Sequence, residues 1–161
     1  MSLYSRRNEG FPMKRIASIQ DVSCLGRCSQ TVALPVVSAM GVECAILPTA
    51  VLSTHTSFPD FRCLDLTDQL LPVARHWKAQ GVHFDALYTG YLASDRQVAV
   101  VLELLELLRD EDTLLFVDPA MADHGKLYAG FGPEFPALMA QVVSRAQITV
   151  PNITEASLMT G

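Results

Sequence analysis

The chain has 161 residues, of which 50% are hydrophobic and 18% charged, a composition that describes a globular domain with one substantial core and excludes a disordered or fibrous chain. Its net charge is −5, and the 12 Lys and Arg residues are scattered, which argues against a nucleic-acid surface because phosphate-backbone binding needs them clustered. Small anions would have to be held by local dipoles and metal.

Residues Met1 to Pro12 are polar, carry Arg6 and Arg7, and contain no apolar core of an export signal. With Met13 preceding the first strand-like run, residues 1–13 are expected to be an N-terminal extension, a mis-assigned start or vector-derived residues, and residues 14–161 one domain or a large piece of one. The first strand is expected over Ile16 to Ile19, ending at Gln20-Asp21; a loop with Gly26 leads to Ser29, which can cap a helix toward Met40. Pro35 would kink that helix or sit in its first turns, and Gly41 ends it. Glu43 to Leu47 reads as a second strand and Ala50 to Ser53 as a third extended piece. Thr67 to Gln80 has a helical period, with Leu70, Leu71, Ala74 and Trp77 on one face and Gly81 as its stop.

Ala86 to Thr89 is a strand of the buried type, and Gly90-Tyr91 turns the chain. Ser94 and Gln97 have the spacing of a capping box before a long helix to Arg109. That helix contains the most apolar stretch, Val98 to Leu108, which Glu103 and Glu106 interrupt, so no membrane span is expected. Leu114 to Val117 is a strand, Glu134 to Ser144 a helix, Ile148 to Val150 a strand, and Asn152 with Glu155 opens a last helix. This alternation predicts an α/β fold with a mainly parallel sheet and helices on both faces. Cys24, Cys28, Cys44 and Cys63 read as reduced thiols of a cytoplasmic protein; Cys24 and Cys28 lack the second ligand pair that zinc would need.

Two segments carry chemistry. Phe116-Val117-Asp118-Pro119-Ala120-Met121-Ala122-Asp123 and Val150-Pro151-Asn152-Ile153-Thr154-Glu155-Ala156 each place carboxylate or amide groups just after an apolar strand, where open α/β sheets bind ligands. A turn alone would explain Asp118-Pro119, and a capping box alone would explain Asn152 and Glu155. Asp123 adds a second carboxylate near the same sheet edge, and a bound cation would relieve the repulsion. The pair of segments suits a magnesium ion carrying nucleotide phosphates, and so phosphoryl transfer. The hydroxyl-rich stretch from Thr49 to Ser57, with His55, suits a lid or pocket wall. No G-x-S-x-G elbow exists for a serine hydrolase, and in Gly130-Phe131-Gly132-Pro133 the proline removes an N–H that a phosphate cradle would use.

With these residues in view, the chain resembles the pyridoxal/pyridoxamine kinases of the ribokinase superfamily. The resemblance rests on Ser18-Ile19-Gln20-Asp21, Gly26-Arg27-Cys28-Ser29, Leu52-Ser53-Thr54-His55-Thr56, Thr89-Gly90-Tyr91, Val117 to Asp123 and Pro151 to Ala156. It runs from about Lys14 to Gly161 but covers only the first half or so of the family's usual length. It implies a three-layer ribokinase-like fold, cut short, that serves ATP-dependent phosphorylation of the 5′-hydroxymethyl group of pyridoxal, pyridoxamine or pyridoxine. The implied substrate contacts are Asp21, Ala50, Leu52, His55, Thr56 and Tyr91; Asp118, Asn152 and Glu155 would serve the nucleotide phosphates, and Asp118, Asp123 and Glu155 a metal. ATP, Mg2+ and a monovalent cation such as K+ are the implied cofactors, and a homodimer the implied full-length state.

Two departures stand out: Asp21 replaces a commoner Ser, and Ala122 a commoner Gly. The family's G-x-G-D loop, whose Asp takes the proton of the substrate alcohol, is absent from these 161 residues, so no catalytic base is assigned and the chain alone is not expected to be a competent kinase. Losing a general base costs about 10²–10⁴ in rate. The alternatives are a hydroxymethylpyrimidine kinase and a non-catalytic fragment that binds a B6 vitamer.

Overall fold

The computed structural model describes residues 13–161, so the expected N-terminal extension falls outside the described residues except for Met13. The described chain runs β1 (Arg15–Ser23), α1 (Gln30–Ala39), β2 (Glu43–Leu52), β3 (Cys63–Asp65), α2 (Thr67–Ala79), β4 (Ala86–Thr89), α3 (Asp95–Leu108), β5 (Leu114–Val117), β6 (Ala122–Asp123), β7 (Lys126–Leu127), α4 (Phe135–Val143), β8 (Ile148–Thr149) and α5 (Ile153–Thr160). Six strands form one sheet in the order β3-β2-β1-β4-β5-β8, and β6 and β7 form a separate hairpin. All neighbours in the large sheet are parallel except β3, which runs antiparallel along the edge of β2. The alternation of strand and helix gives the α/β sheet the sequence implies.

Side-chain alternation along the strands divides the sheet into two faces. Ala17, Ile19, Leu47, Leu87, Leu115 and Val117 point into the main core, where Leu70 and Ala74 of α2, Val98, Val101, Leu104 and Leu105 of α3, and Phe135 and Met139 of α4 cover them. The spacing of the α3 residues is that of one helical stripe, which is why this helix is the most buried. Burial of these apolar groups is the main favourable term in the fold. Ser18, Ile46, Tyr88, Phe116 and Ile148, in register across the sheet, point the other way. On that side α1 is the packed helix, with Gln30 its one buried residue.

Four local expectations are corrected. Residues 43–52 form one strand, not two; Pro48 interrupts the β1–β2 ladder, because it has no N–H to donate, and the register shifts between Gln20 and Val22 while the strand continues. β1 extends beyond Ile19, to Ser23. Ser94 caps α3 by accepting from Gln97 N, but the Gln97 side chain does not close the box. Buried in the core, it accepts from Ala93 N and donates to Thr49 O and Thr67 Oγ1, tying α3 to β2 and α2. Asp123, which the sequence places only near the edge of the main sheet, lies on a separate short hairpin formed by β6 and β7.

Candidate active site

A cavity of about 910 Å3 opens at the carboxyl ends of β1, β4 and β5, lined by α1 and by the loops after β1, β2 and β5. This is the position at which parallel sheets bind ligands, because the chain leaves each strand there in a loop free to vary.

Asp21 is placed by the irregularity in β1. It is 3% exposed, accepts from Ser23 Oγ at 3.0 Å and Ser29 Oγ at 2.5 Å, and lines the cavity. Ser29 stands at the helix N-cap, as the sequence suggests, but its hydroxyl makes no cap bond because it is engaged by Asp21. Ser29 also has φ +50°, a conformation that costs a non-glycine residue about 1–3 kcal/mol and concentrates at functional sites. The next loop is locked to this one: Cys24 N donates to Leu52 O and His55 N to Leu25 O. Gly26, at φ +144°, lets the two loops meet, since a Cβ there would lie 2.9 Å from His55 Cδ2. His55 packs edge-on against Phe58, and His55 and Thr56 both line the cavity.

On the far side, Gly90 allows β4 to pass Gln20, whose Oε1 would lie 2.7 Å from an added Cβ. Tyr91 follows it on the cavity wall, its ring against Phe131, and burial, then the charge of Asp21, Cys63 and Tyr128, push its phenol up to about 12. Asp118 ends β5, held by its own N–H to Thr89 O. Desolvation, followed by the nearby Glu155 carboxylate, raises its carboxyl to about 6.

The cavity thus collects Asp21, His55, Thr56, Tyr91, Asp118 and Asp123. Ala50 and Leu52 are interior residues, 1% and 2% exposed, and do not line it. Asn152 and Glu155 stand behind the wall and act on the backbone. Glu155, 2% exposed, accepts from Met121 N and Asn152 N, and Asn152 closes the capping box and donates from Nδ2 to Ala122 O. They fix the turn after Asp118. Among the described residues no group of three or more His, Cys, Asp or Glu side chains is arranged to hold a metal ion, so Asp118, Asp123 and Glu155 do not form a closed protein cage. A magnesium ion that keeps most of its waters needs only one or two carboxylates, and Asp118, whose charge is unfavourable in isolation, fits such an ion.

Sequence reasoning did not assign Gln20, Arg27, Cys28, Ser29, Tyr88 or Tyr128 to the site, although all six line the cavity. For Arg27, Cys28 and Ser29 the available signal was their place in the loop after the first strand. Tyr128 gave none, because the β6–β7 hairpin that positions it is too short to show a period. No helix among the described residues is long and apolar enough to cross a membrane.

A mostly parallel α/β sheet with a cavity at its strand ends defines the class: an open α/β fold with its cavity at the edge where such sheets take small molecules. No family model matches the chain. The pyridoxal kinase of Arabidopsis thaliana is 30% identical over 153 residues, covering 91% of this chain and 48% of that protein. A Bacteroides thetaiotaomicron protein provisionally named a phosphomethylpyrimidine kinase and crystallised with pyridoxal superimposes with a TM-score of 0.87 at 42% identity, over 91% of this chain and 51% of its own. Lactobacillus plantarum pyridoxal kinase gives a TM-score of 0.84 at 38% identity, over 92% and 53%. The Leishmania donovani pyridoxal kinase with ADP and pyridoxamine gives 0.78 at 25%, over 91% and 52%. In sequence and fold the chain is therefore pyridoxal kinase-like, and it spans about half the length of the curated relatives it matches.

Proposed function

We propose that residues 14–161 are the vitamin-binding part of a single kinase domain that transfers the γ-phosphoryl group of ATP to the 5′-hydroxymethyl group of pyridoxal, pyridoxamine or pyridoxine. The observation that carries this reading is the cavity itself, which sets Asp21, His55, Thr56 and Tyr91 around one opening with Asp118. The first four would orient the ring and exclude water, and Asp118 would hold a hydrated magnesium ion with the nucleotide phosphates. That ion supplies charge neutralisation for the transferred group. Asn152 and Glu155 would keep the turn after Asp118 in place through the hydrogen bonds they make to its backbone. The chain's contribution is positioning, which in phosphoryl transfer supplies much of the catalysis. The proton acceptor for the alcohol is assigned outside these 161 residues, because no G-x-G-D loop occurs within them.

ADP and pyridoxamine in the Leishmania kinase, and pyridoxal in the Bacteroides protein, support the choice of ligands. The free thiols of Cys24, Cys28, Cys44 and Cys63 suit a reducing, cytoplasmic compartment, and a homodimer is the full-length state we propose. Isothermal calorimetry with pyridoxal, with and without ATP and magnesium, tests the reading. The chain is expected to bind pyridoxal with a stoichiometry of about one, as a single cavity requires. Absence of heat with every B6 vitamer would overturn it. Hydroxymethylpyrimidine is the second candidate substrate, favoured by the provisional name of the Bacteroides protein, and tighter binding of that alcohol than of any vitamer would select it.

A further inference from the structure

Asp21 is a carboxylate almost wholly withdrawn from water, at 3% exposure, yet its two hydrogen-bond partners are neutral hydroxyls, Ser23 Oγ and Ser29 Oγ. Among the described residues no Lys, Arg or His forms an ion pair with it, although Arg27 lines the same cavity. The amino end of α1, whose N-cap hydroxyl it binds, brings only a partial positive charge near it. A buried charge without a full counter-charge is costly, and buried charges in folded proteins are ordinarily paired. Asp21 contributes to raising the Tyr91 phenol after burial, and the Cys63 thiol after burial and Asp65. The carboxylate faces a cavity of about 910 Å3, so a bound molecule can reach it.

We propose that Asp21 is a specificity-determining residue that selects a substrate bearing a cationic nitrogen, either a protonated ring nitrogen or an exocyclic ammonium, over a neutral ring of the same shape. The substrate supplies the counter-charge that the fold leaves out. This rests on the reading of the cavity as a B6-vitamer pocket and narrows it: the favoured ligands are aromatic alcohols that are cationic at nitrogen when bound. Ser23 and Ser29 hold the carboxylate in place, which accounts for Ser29 being kept at positive φ.

The test uses the 161-residue chain as wild type, Asp21→Asn and Asp21→Ser. Calorimetry is run with pyridoxine, whose ring nitrogen is its basic site, with pyridoxamine, which adds an ammonium, and with 3-hydroxybenzyl alcohol, which has no nitrogen. The wild type is expected to favour the two vitamers over the carbocyclic alcohol, and both variants to lose roughly 10–100-fold in vitamer affinity, as when one member of a desolvated charge pair is removed. Equal loss for both vitamers assigns the ring nitrogen; loss confined to pyridoxamine assigns the ammonium. The melting temperature of the ligand-free Asn variant is expected to equal or exceed that of the wild type, because an unpaired buried charge is gone. Variants that bind the vitamers as tightly as the wild type overturn the proposal and leave the vitamer reading standing. A ligand-free Asn variant that melts well below the wild type also overturns it, by making Asp21 structural. A wild type that binds no vitamer overturns the functional reading and this proposal together.

Discussion

Asp118 shows how the environment of one residue sets both its chemistry and its cost. Burial at the end of β5, then the Glu155 carboxylate, raise its carboxyl to about 6, against about 3.9 for an unfolded aspartate. Between those values the folded chain binds more protons than the unfolded one, so this group makes stability fall as pH rises from about 4 through about 6, and level off above. The full shift would overstate the energy, because Asp118 is only partly buried and solvent screens it; about 1 kcal/mol is the expected size. Asp118→Asn should therefore match the wild type in urea denaturation near pH 4 and exceed it by that amount at pH 7.5. A difference that is the same at both values would remove the titration argument. The same substitution takes away the carboxylate proposed to hold magnesium, so gain in stability and loss of magnesium binding should appear together, the pattern of a site that strains the fold that carries it.

At the scale of elements, α5 and its N-cap are joined to the turn after β5 by the side chains of Glu155 and Asn152. Glu155 accepts from Met121 N and Asn152 N at 3.1 and 2.9 Å, and Asn152 Nδ2 donates to Ala122 O at 2.8 Å. Glu155→Gln puts an NH2 group where one of these N–H donors now points, and a buried donor left unsatisfied costs about 1–3 kcal/mol. Chemical denaturation should show that loss. NMR titration of Asp118 should show its pKa lowered, because the second cause of its rise has gone while burial remains. An unchanged pKa would mean that the two carboxylates do not couple. Much of this architecture was legible in the chain: the Asn152/Glu155 spacing gives the capping box directly, the apolar period of α2 and α3 gives the helices, and short β-type runs ending in Asp21 and Asp118 give the ligand-binding edge. What was not legible depended on partners distant in sequence. Gln97 has the spacing of a capping-box residue, yet Thr49 and Thr67, 48 and 30 positions away, claim its amide. Ala50 and Leu52 lie on a strand whose register Pro48 shifts, and no local pattern reveals that they end up inside. Strands of two residues, such as β6 and β7, are too short to show any periodicity.

At the scale of the whole molecule the two faces of the sheet are unequally covered. One is closed by α2, α3 and α4, while the other carries Ile46, Tyr88, Phe116 and Ile148 in a row with Ile46 and Ile148 about 40% exposed. Apolar exposure continues past β8, the outermost described strand on that side, to Val150 and to Ile153, which is 88% exposed at the start of α5. An edge strand offers unpaired N–H and C=O groups, and apolar side chains beside such an edge make it a site of association between chains. The relatives are about twice as long as this chain, and a longer protein has additional residues with which to cover that surface. Sedimentation velocity on the 161-residue chain should therefore show concentration-dependent self-association. The double substitution Ile148→Lys with Ile153→Glu should abolish it. The pair leaves net charge unchanged, so general electrostatic repulsion would not explain the effect, and the Glu sits at a helix start, where the dipole favours it. Both positions are exposed, so the unfolding free energy should hold to within about 0.5 kcal/mol. A wild-type chain that remains monomeric at every concentration would show that the exposed row is tolerated in water; a double variant that still associates would place the contact elsewhere, with the exposed apolar residues Val36 of α1 and Met40 at its C-cap as the next surface to substitute.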